Sequence, residues 1–183
     1  DLPFDRLERG SVVTIGAYDG LHLGHRRILD RVVESASSEG LTTAIMSFEP
    51  TPKEFFQAAQ PPARLMRFRE KYEALENLGI DCFYCPRFSR AMRDISAADF
   101  IRRILVHGLN ARHVIIGDDF HFARRREGGL EELERAGRVL GFEVEQQGSV
   151  FVDGIRVSST AVREACLSGD MHRAARFLGR PYR

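Results

Sequence analysis

Two histidines, His22 and His25, stand three residues apart in the run Thr14-Ile15-Gly16-Ala17-Tyr18-Asp19-Gly20-Leu21-His22-Leu23-Gly24-His25. The run begins as an apolar strand pattern over residues 11–15, turns through Gly16 and Gly20, and enters a helical pattern near Leu23. Positions i and i+3 share a helix face, so both imidazoles are expected to point the same way from the first helical turn. That turn also carries unpaired backbone N–H groups and the positive end of the helix dipole. Gly24 lies between the histidines and has no side chain to keep a bulky anion off the main chain. Imidazoles, free amides and a dipole at one point make an anion site, and a polyphosphate suits it best.

Such a site needs a strand to deliver the turn and a helix to follow it. Apolar runs of strand length fall at residues 12–15, 42–48, 82–85, 113–116 and 142–145. Between the first two, Ile28, Leu29, Val32, Val33 and Ala36 recur at helical spacing, and Gly40 reads as the stop. Tyr72, Leu75 and Leu78 repeat the period before Gly79. Ser96-Ala97-Ala98-Asp99 resembles a capping box with Asp in place of Glu, opening a helix that carries Phe100, Ile101, Ile104 and Leu105 to a stop at Gly108. Leu130, Leu133, Ala136 and Leu140 form a further helix ending at Gly141. Strand–helix alternation of this kind predicts an α/β fold, a doubly wound parallel sheet with helices on both faces. The pattern then changes. Residues 150–157 read as a hairpin turning at Asp153-Gly154. Ser158-Ser159-Thr160 caps a helix to about Leu167, and a short helix closes the chain over residues 170–178. Residues 50–65 and 118–129 are the longest irregular stretches, of a length that is often functional. Segments 16–25, 49–56, 117–126 and 158–163 all follow strand ends, where ligands of such sheets bind, and are expected to converge on one cleft.

Length, charge and cysteine usage bound the partners. The 183 residues, 43% hydrophobic and 29% charged, suit one domain with a substantial core. A net charge of +1 with no face-wide basic excess argues against a nucleic-acid surface. No run of roughly 18 apolar residues is present, so no membrane span is expected. Three cysteines give no disulfide framework, which points to a reducing, cytoplasmic setting. The chain begins at Asp1, as a trimmed or excised domain would.

Other residues admit two readings. Phe120 and Phe122 alternate as strand residues would and serve either packing or a ligand ring. Arg124-Arg125-Arg126 is most simply a solvated loop run. Cys82 and Cys85 match a Cys-x-x-Cys spacing inside a strand pattern, without a second pair, so no metal site is expected. His107, His113 and His172 show no cluster with carboxylates or cysteines in the sequence. Asp19 and Gly20 form a turn in which Asp19 orients the histidine loop or a nucleotide group.

Four motifs in order carry a family resemblance over essentially the whole chain. The Gly16–His25 run resembles the His-x-Gly-His signature of the nucleotidyltransferase superfamily. The Asp-Gly ahead of its first His is similar to the FMN adenylyltransferase (FAD synthetase) domain of bacterial bifunctional riboflavin kinase/FMN adenylyltransferases. Phe48-Glu49-Pro50-Thr51-Pro52 resembles the second motif of that family, and Gly117-Asp118-Asp119-Phe120-His121-Phe122 with Arg126-Glu127-Gly128 the third. Val157-Ser158-Ser159-Thr160-Ala161-Val162-Arg163 resembles its Ser-Ser-Thr-x-x-Arg motif, and Leu178-Gly179-Arg180-Pro181-Tyr182 the stretch leading into the kinase barrel.

The resemblance implies a Rossmann-like nucleotidyltransferase fold over residues 1–183, the kinase barrel being absent from this chain, and a reaction of ATP with FMN giving FAD and pyrophosphate, with Mg²⁺. It implies catalytic roles for His22, His25 and Arg163. ATP binding would fall to Gly16, Tyr18, Asp19, Gly24, Gly117 and Asp118, with Ser158, Ser159 and Thr160 completing the phosphate site. Flavin binding would fall to Phe48, Pro50, Phe56, Asp119, Phe120, Phe122 and Arg126. The parent protein would carry riboflavin kinase as a fused domain, with no nucleic-acid or membrane partner. Tyr18, Thr51, His121, Ala123 and Gly129 depart from the family's frequent Phe, His, Arg, Gly and Asp. Two alternatives stand beside this: the same fold with another phosphorylated acceptor, such as phosphopantetheine or nicotinamide mononucleotide, and a non-catalytic flavin or nucleotide sensor.

Overall fold

The computed structural model describes residues 7–182. Five strands form one all-parallel sheet: β1 (Ser11–Ile15), β2 (Thr42–Met46), β3 (Cys82–Tyr84), β4 (Ala111–Gly117) and β5 (Glu143–Gln147), in the order β3-β2-β1-β4-β5. Helix α1 (Leu23–Glu39) follows β1, and α2 (Pro52–Phe56) and α3 (Phe68–Glu76) follow β2. After β3 come α4 (Arg90–Arg93) and α5 (Ala97–Asp99), the latter running on as π-helical turns over Phe100–Gly108. Helix α6 (Leu130–Leu140) precedes β5. The hairpin β6 (Phe151–Val152) and β7 (Ile155–Arg156), then α7 (Ser159–Leu167) and α8 (Met171–Leu178), complete the described chain.

Alternate strand residues face opposite ways and each face is covered, as a sheet buried on both sides requires. Val12 and Ile115 meet Val32 and Ala36 of α1, while Ile45 meets Leu29 of α1 and Leu75 of α3. On the other face, Val13, Ala44, Met46, Val114 and Ile116 meet Ile101 and Leu105 of the π-helical segment and Leu133 of α6. The fold is therefore the doubly wound sheet expected. The strand order reverses between β1 and β4, and ligands of open parallel sheets bind beyond the strand ends at that point.

Local signals placed the element ends. Gly40 and Gly141 cap α1 and α6 in the left-handed conformation. Asp153 and Gly154 both have positive φ, 53° and 75°, as a two-residue hairpin turn demands. Ser96 does cap α5, accepting from the Asp99 N–H at 3.1 Å, but Asp99 takes the Ser96 hydroxyl at 2.8 Å. One methylene shorter than Glu, it completes no capping box. Residues 50–65 are not irregular throughout. Thr51 and Glu54 form a complete capping box with Pro52 at the first helical position, and α2 results.

His113 corrects another expectation. It is buried, with Nδ1 2.9 Å from the Ser35 hydroxyl and Nε2 3.5 Å from Glu145, which Arg31 grips through two nitrogens at 2.8 and 2.9 Å. The carboxylate comes from β5, 32 positions along the chain, so no sequence window contained the cluster.

Candidate active site

A continuous cleft opens at the carboxyl ends of β1, β2 and β4. Three connected hollows make it: a phosphate-sized cleft of about 240 Å³, a central cavity of about 440 Å³ and an aromatic chamber of about 460 Å³. His25, Ser159, Gly117 and Asp119 line both the first and the second. Phe48, Pro52, Phe120, His121 and Arg126 line both the second and the third.

His22 is the N-cap of α1 rather than a member of its first turn. Its Nδ1 accepts the His25 backbone N–H at 3.2 Å, so the neutral ring carries its proton on Nε2. The two rings stack with centroids 3.6 Å apart and planes at 15°. They share one face as expected, but because one caps the helix the other belongs to. Burial pushes the His22 pKa down to about 4, outweighing Asp119 and Asp19 nearby. Burial also holds His25 well below its ordinary value, reinforced by His22 and Lys71. Both are therefore neutral hydrogen-bonding groups at pH 7, not resident cations. His25 Nδ1 is the buried side-chain polar atom left without a partner among the described residues, and it lies on the cleft. Gly24 has a different use from the one expected: an added Cβ would stand 3.2 Å from the His22 ring, so glycine leaves room for that ring.

The opposite wall is the start of α7. Ser158 caps it, accepting the Ala161 N–H at 3.1 Å, and Ser159 donates to the Asp19 carbonyl at 2.8 Å. Thr160 is exposed along the same wall. Two helix N-termini, of α1 and α7, thus border one hollow, which favours an anion between them. Arg156 on β7 adds the positive charge that sequence reasoning missed. It reaches Asp118 at 2.9 Å and Asp119 at 3.0 Å across the cleft. Its position two residues before Ser158-Ser159-Thr160 was the available signal. Partial burial opposes ionisation of Asp118, but hydrogen bonds from Ser149 and the Arg156 charge hold its carboxyl below the usual range.

Asp19 is buried and its carboxylate is fully engaged. It accepts from the amides of Leu65 at 2.9 Å and Met66 at 3.0 Å and pairs with Arg163, whose Nε also donates to the Ala63 carbonyl. It ties the histidine loop to the Leu65–Met66 backbone and fixes the arginine. Arg163 and Gly16 line the central cavity. Tyr18 is buried; its hydroxyl lies 2.6 Å from Thr14 Oγ1 and its ring 5.0 Å from that of His25, so Tyr in place of Phe is accommodated by one hydrogen bond. Lys71, also missed, is buried and donates to the Ala17 carbonyl at 2.7 Å; burial pulls its pKa down against the pull of Asp19.

The aromatic chamber contains Phe48, Phe56, Phe88, Phe100, Phe120 and Phe122. Phe120 and Phe122 stack at 5.7 Å, and Phe122, buried against Phe100, also lines the chamber. An added Cβ on Gly128 would stand 2.5 Å from that ring. Phe56 is 63% exposed at the rim. Pro50 lines none of the three hollows; Pro52 takes that position instead. Arg126 reaches the His121 ring at 3.2 Å. Ala123 has φ 65° and ψ −178°, a region tolerated essentially by glycine alone. Gly129 caps α6 with no side-chain bond, so the missing Asp there affects a helix end. Among the described residues no cluster of three metal-ligating side chains exists, and the three cysteines are free. No helix among them is long and apolar enough to cross a membrane.

Residues 5–161 match the family model described as FAD synthetase. The chain is 46% identical over 175 residues to the bifunctional riboflavin kinase/FMN adenylyltransferase of Pseudomonas fluorescens, covering 96% of this chain and 56% of that protein. It is 39% identical over 179 residues to the enzyme of that name from Haemophilus influenzae, covering 98% and 58%. A crystal structure titled a macrolide-efflux protein from Streptococcus pneumoniae superposes with a TM-score of 0.83 at 24% identity, covering 96% of this chain and 57% of that one. That likeness shows the fold. The chain spans a little over half the length of these relatives.

Proposed function

The chain belongs to the FAD synthetase family, and from that premise we propose that it transfers AMP from ATP to FMN, releasing pyrophosphate and giving FAD. One observation carries the reading: the stacked pair His22 and His25 opens onto a hollow between two helix N-termini, and that hollow shares walls with a central cavity that in turn shares walls with a chamber of phenylalanines. A triphosphate suits the first part and a flat ring the second.

An oxygen of the FMN phosphate forms a bond to the α-phosphorus of ATP. The bond from that phosphorus to the bridging oxygen breaks, and its electron pair leaves with pyrophosphate. The nucleophile is already anionic at neutral pH, so no general base is needed. The barrier lies in bringing two anions together in line and stabilising charge on the leaving group. His22 offers its Nε2–H, the starts of α1 and α7 offer amides, and Arg156 offers a guanidinium released from Asp118 and Asp119 when phosphate competes. Arg163, held by Asp19, borders the central cavity where the acceptor phosphate would arrive.

Mg²⁺ would enter with ATP as part of the substrate and supply positive charge to its phosphates. The nearby carboxylates, Asp118 and Asp119, are both paired to Arg156 and form no ready-made cage for it. Cytoplasmic location, and riboflavin kinase activity in a fused domain of the parent protein, belong to this proposal; the kinase step is not assigned to these residues.

A pyrophosphate-release assay with ATP, Mg²⁺ and FMN tests it. FAD should form in step with pyrophosphate, and nicotinamide mononucleotide or phosphopantetheine should not replace FMN. Binding of both ATP and FMN without pyrophosphate release would make the chain a sensor instead.

A further inference from the structure

The basic groups around the cleft differ in one respect. Arg64 is tied to Glu49 and Glu54, Arg156 to Asp118 and Asp119, and Arg163 to Asp19. Lys71 is buried on the Ala17 carbonyl, and Arg126 leans on His121. Lys53, like Arg125 of the aromatic chamber, is exposed and has no ion pair among the described residues. It is also the residue that lines all three hollows: the phosphate cleft, the central cavity and the aromatic chamber.

We propose that Lys53 takes hold of the acceptor's phosphate at the junction of the three hollows and carries it toward the triphosphate. The inference rests on the adenylyl-transfer reading above and adds a residue to it. A ligand with a flat ring and a distant phosphate must seat the ring among the phenylalanines while its phosphate crosses the junction. That phosphate needs a counter-charge whose position adjusts along the way. An arginine locked to carboxylates meets an anion only by giving up those partners. A lysine gives a compact charge on a flexible four-carbon stem, with three donors. Its base is fixed even though its tip is free: Lys53 follows Pro52, and the Thr51–Glu54 capping box holds the first turn of α2, with Thr51 N donating to Glu54 at 2.7 Å.

The test compares FMN with riboflavin, which has the same ring and no phosphate. Dissociation constants come from fluorescence titration of the wild type, Lys53→Met and Lys53→Arg. Lys53→Met is expected to weaken FMN about tenfold, the scale of one charge-assisted hydrogen bond, and riboflavin less than about twofold. Lys53→Arg should retain most of the FMN affinity. The position is exposed, so all three proteins should melt together. Equal losses for both flavins, or an unchanged FMN constant, would overturn the assignment. The same proteins then enter the pyrophosphate assay. A wild type that prefers FMN through Lys53 yet releases no pyrophosphate would keep Lys53 as the phosphate anchor and overturn adenylyl transfer. Normal turnover by Lys53→Met with unchanged KM for FMN would do the reverse.

Discussion

At the phosphate end of the cleft His22 and Ser158 each cap a helix, Ser159 holds the Asp19 carbonyl, and Asp19 holds two amides and an arginine. At the ring end the wall is a loop in which Ala123, Arg125 and Arg126 have φ of 65°, 53° and 59°, and the contacts are largely between aromatic rings. One end is fixed by directional bonds and the other by packing around a strained turn. The two tasks differ in the same way. In-line displacement loses its rate when groups shift by about an ångström. A flat ring needs area and tolerates small shifts. Polar satisfaction is therefore concentrated where position matters. Left-handed backbone occurs at both ends, at Tyr18 (φ 50°) and Leu21 (φ 44°) in the histidine loop as well, but the glycine-type conformation of Ala123 is found at the ring end.

Breaking the polar end should have the largest effect. Asp19→Ala leaves two amides and the Arg163 guanidinium without their partner in a buried place, and should cost about 3–5 kcal/mol in a denaturant titration. Asp119→Ala, an exposed carboxylate, should cost less than about 1 kcal/mol. Similar losses for the two would remove Asp19 as the anchor.

His25→Ala removes a wall of the phosphate hollow without touching a cap. Adenylyl transfer should fall about 10²–10³-fold, roughly 3–4 kcal/mol of transition-state stabilisation, with flavin affinity kept. A folded variant turning over FMN at the wild-type rate would displace it from the mechanism.

Acid should weaken the same end. His22 titrates at about 4 when folded against 6.5 when unfolded. The unfolded chain takes up the proton first, so this group's contribution of about 3 kcal/mol is present above about pH 6.5, falls as the pH drops to about 4, and is gone below that. His22→Asn keeps a good cap and cannot titrate, so its unfolding free energy should show a shallower slope over that window. Saturating ATP should flatten the wild-type slope, because an anion beside the ring favours its charged form. Parallel slopes for wild type and variant would count against a buried neutral His22.

The smallest effect is expected at the ring end and has the opposite sign. Ala123→Gly relieves a conformation that alanine adopts poorly and should stabilise by about 1 kcal/mol, raising Tm by about 2–4 °C. A fall in Tm would mean that the methyl group's contacts with the neighbouring core outweigh the backbone term.

Much of this was legible before the fold. Glycine stops at Gly40 and Gly141, the Asp153-Gly154 turn and the Ser158 cap are local, set within a few residues by backbone geometry and nearest hydrogen bonds. The Thr51-Pro52-Lys53-Glu54 cap is equally local and makes a helix inside the stretch expected to be irregular. Strand ends were less clear. Residues 113–116 grew to Ala111–Gly117 and residues 42–48 shrank to Thr42–Met46, because pairing with neighbouring strands sets the limit.

By itself, then, the order of residues determined the alternation of elements, the turn that carries His22 and His25, and the glycines and caps that hold it. Tertiary structure alone decided that the imidazoles are neutral, that Asp19 is spent on Leu65, Met66 and Arg163, that Phe122 belongs to the core, and that Arg156 and Lys53 border the cleft. The division follows from range. Capping and turn preferences act between near neighbours in the chain, whereas desolvation, charge pairing and cavity walls depend on which distant segments a parallel sheet brings to the same strand ends.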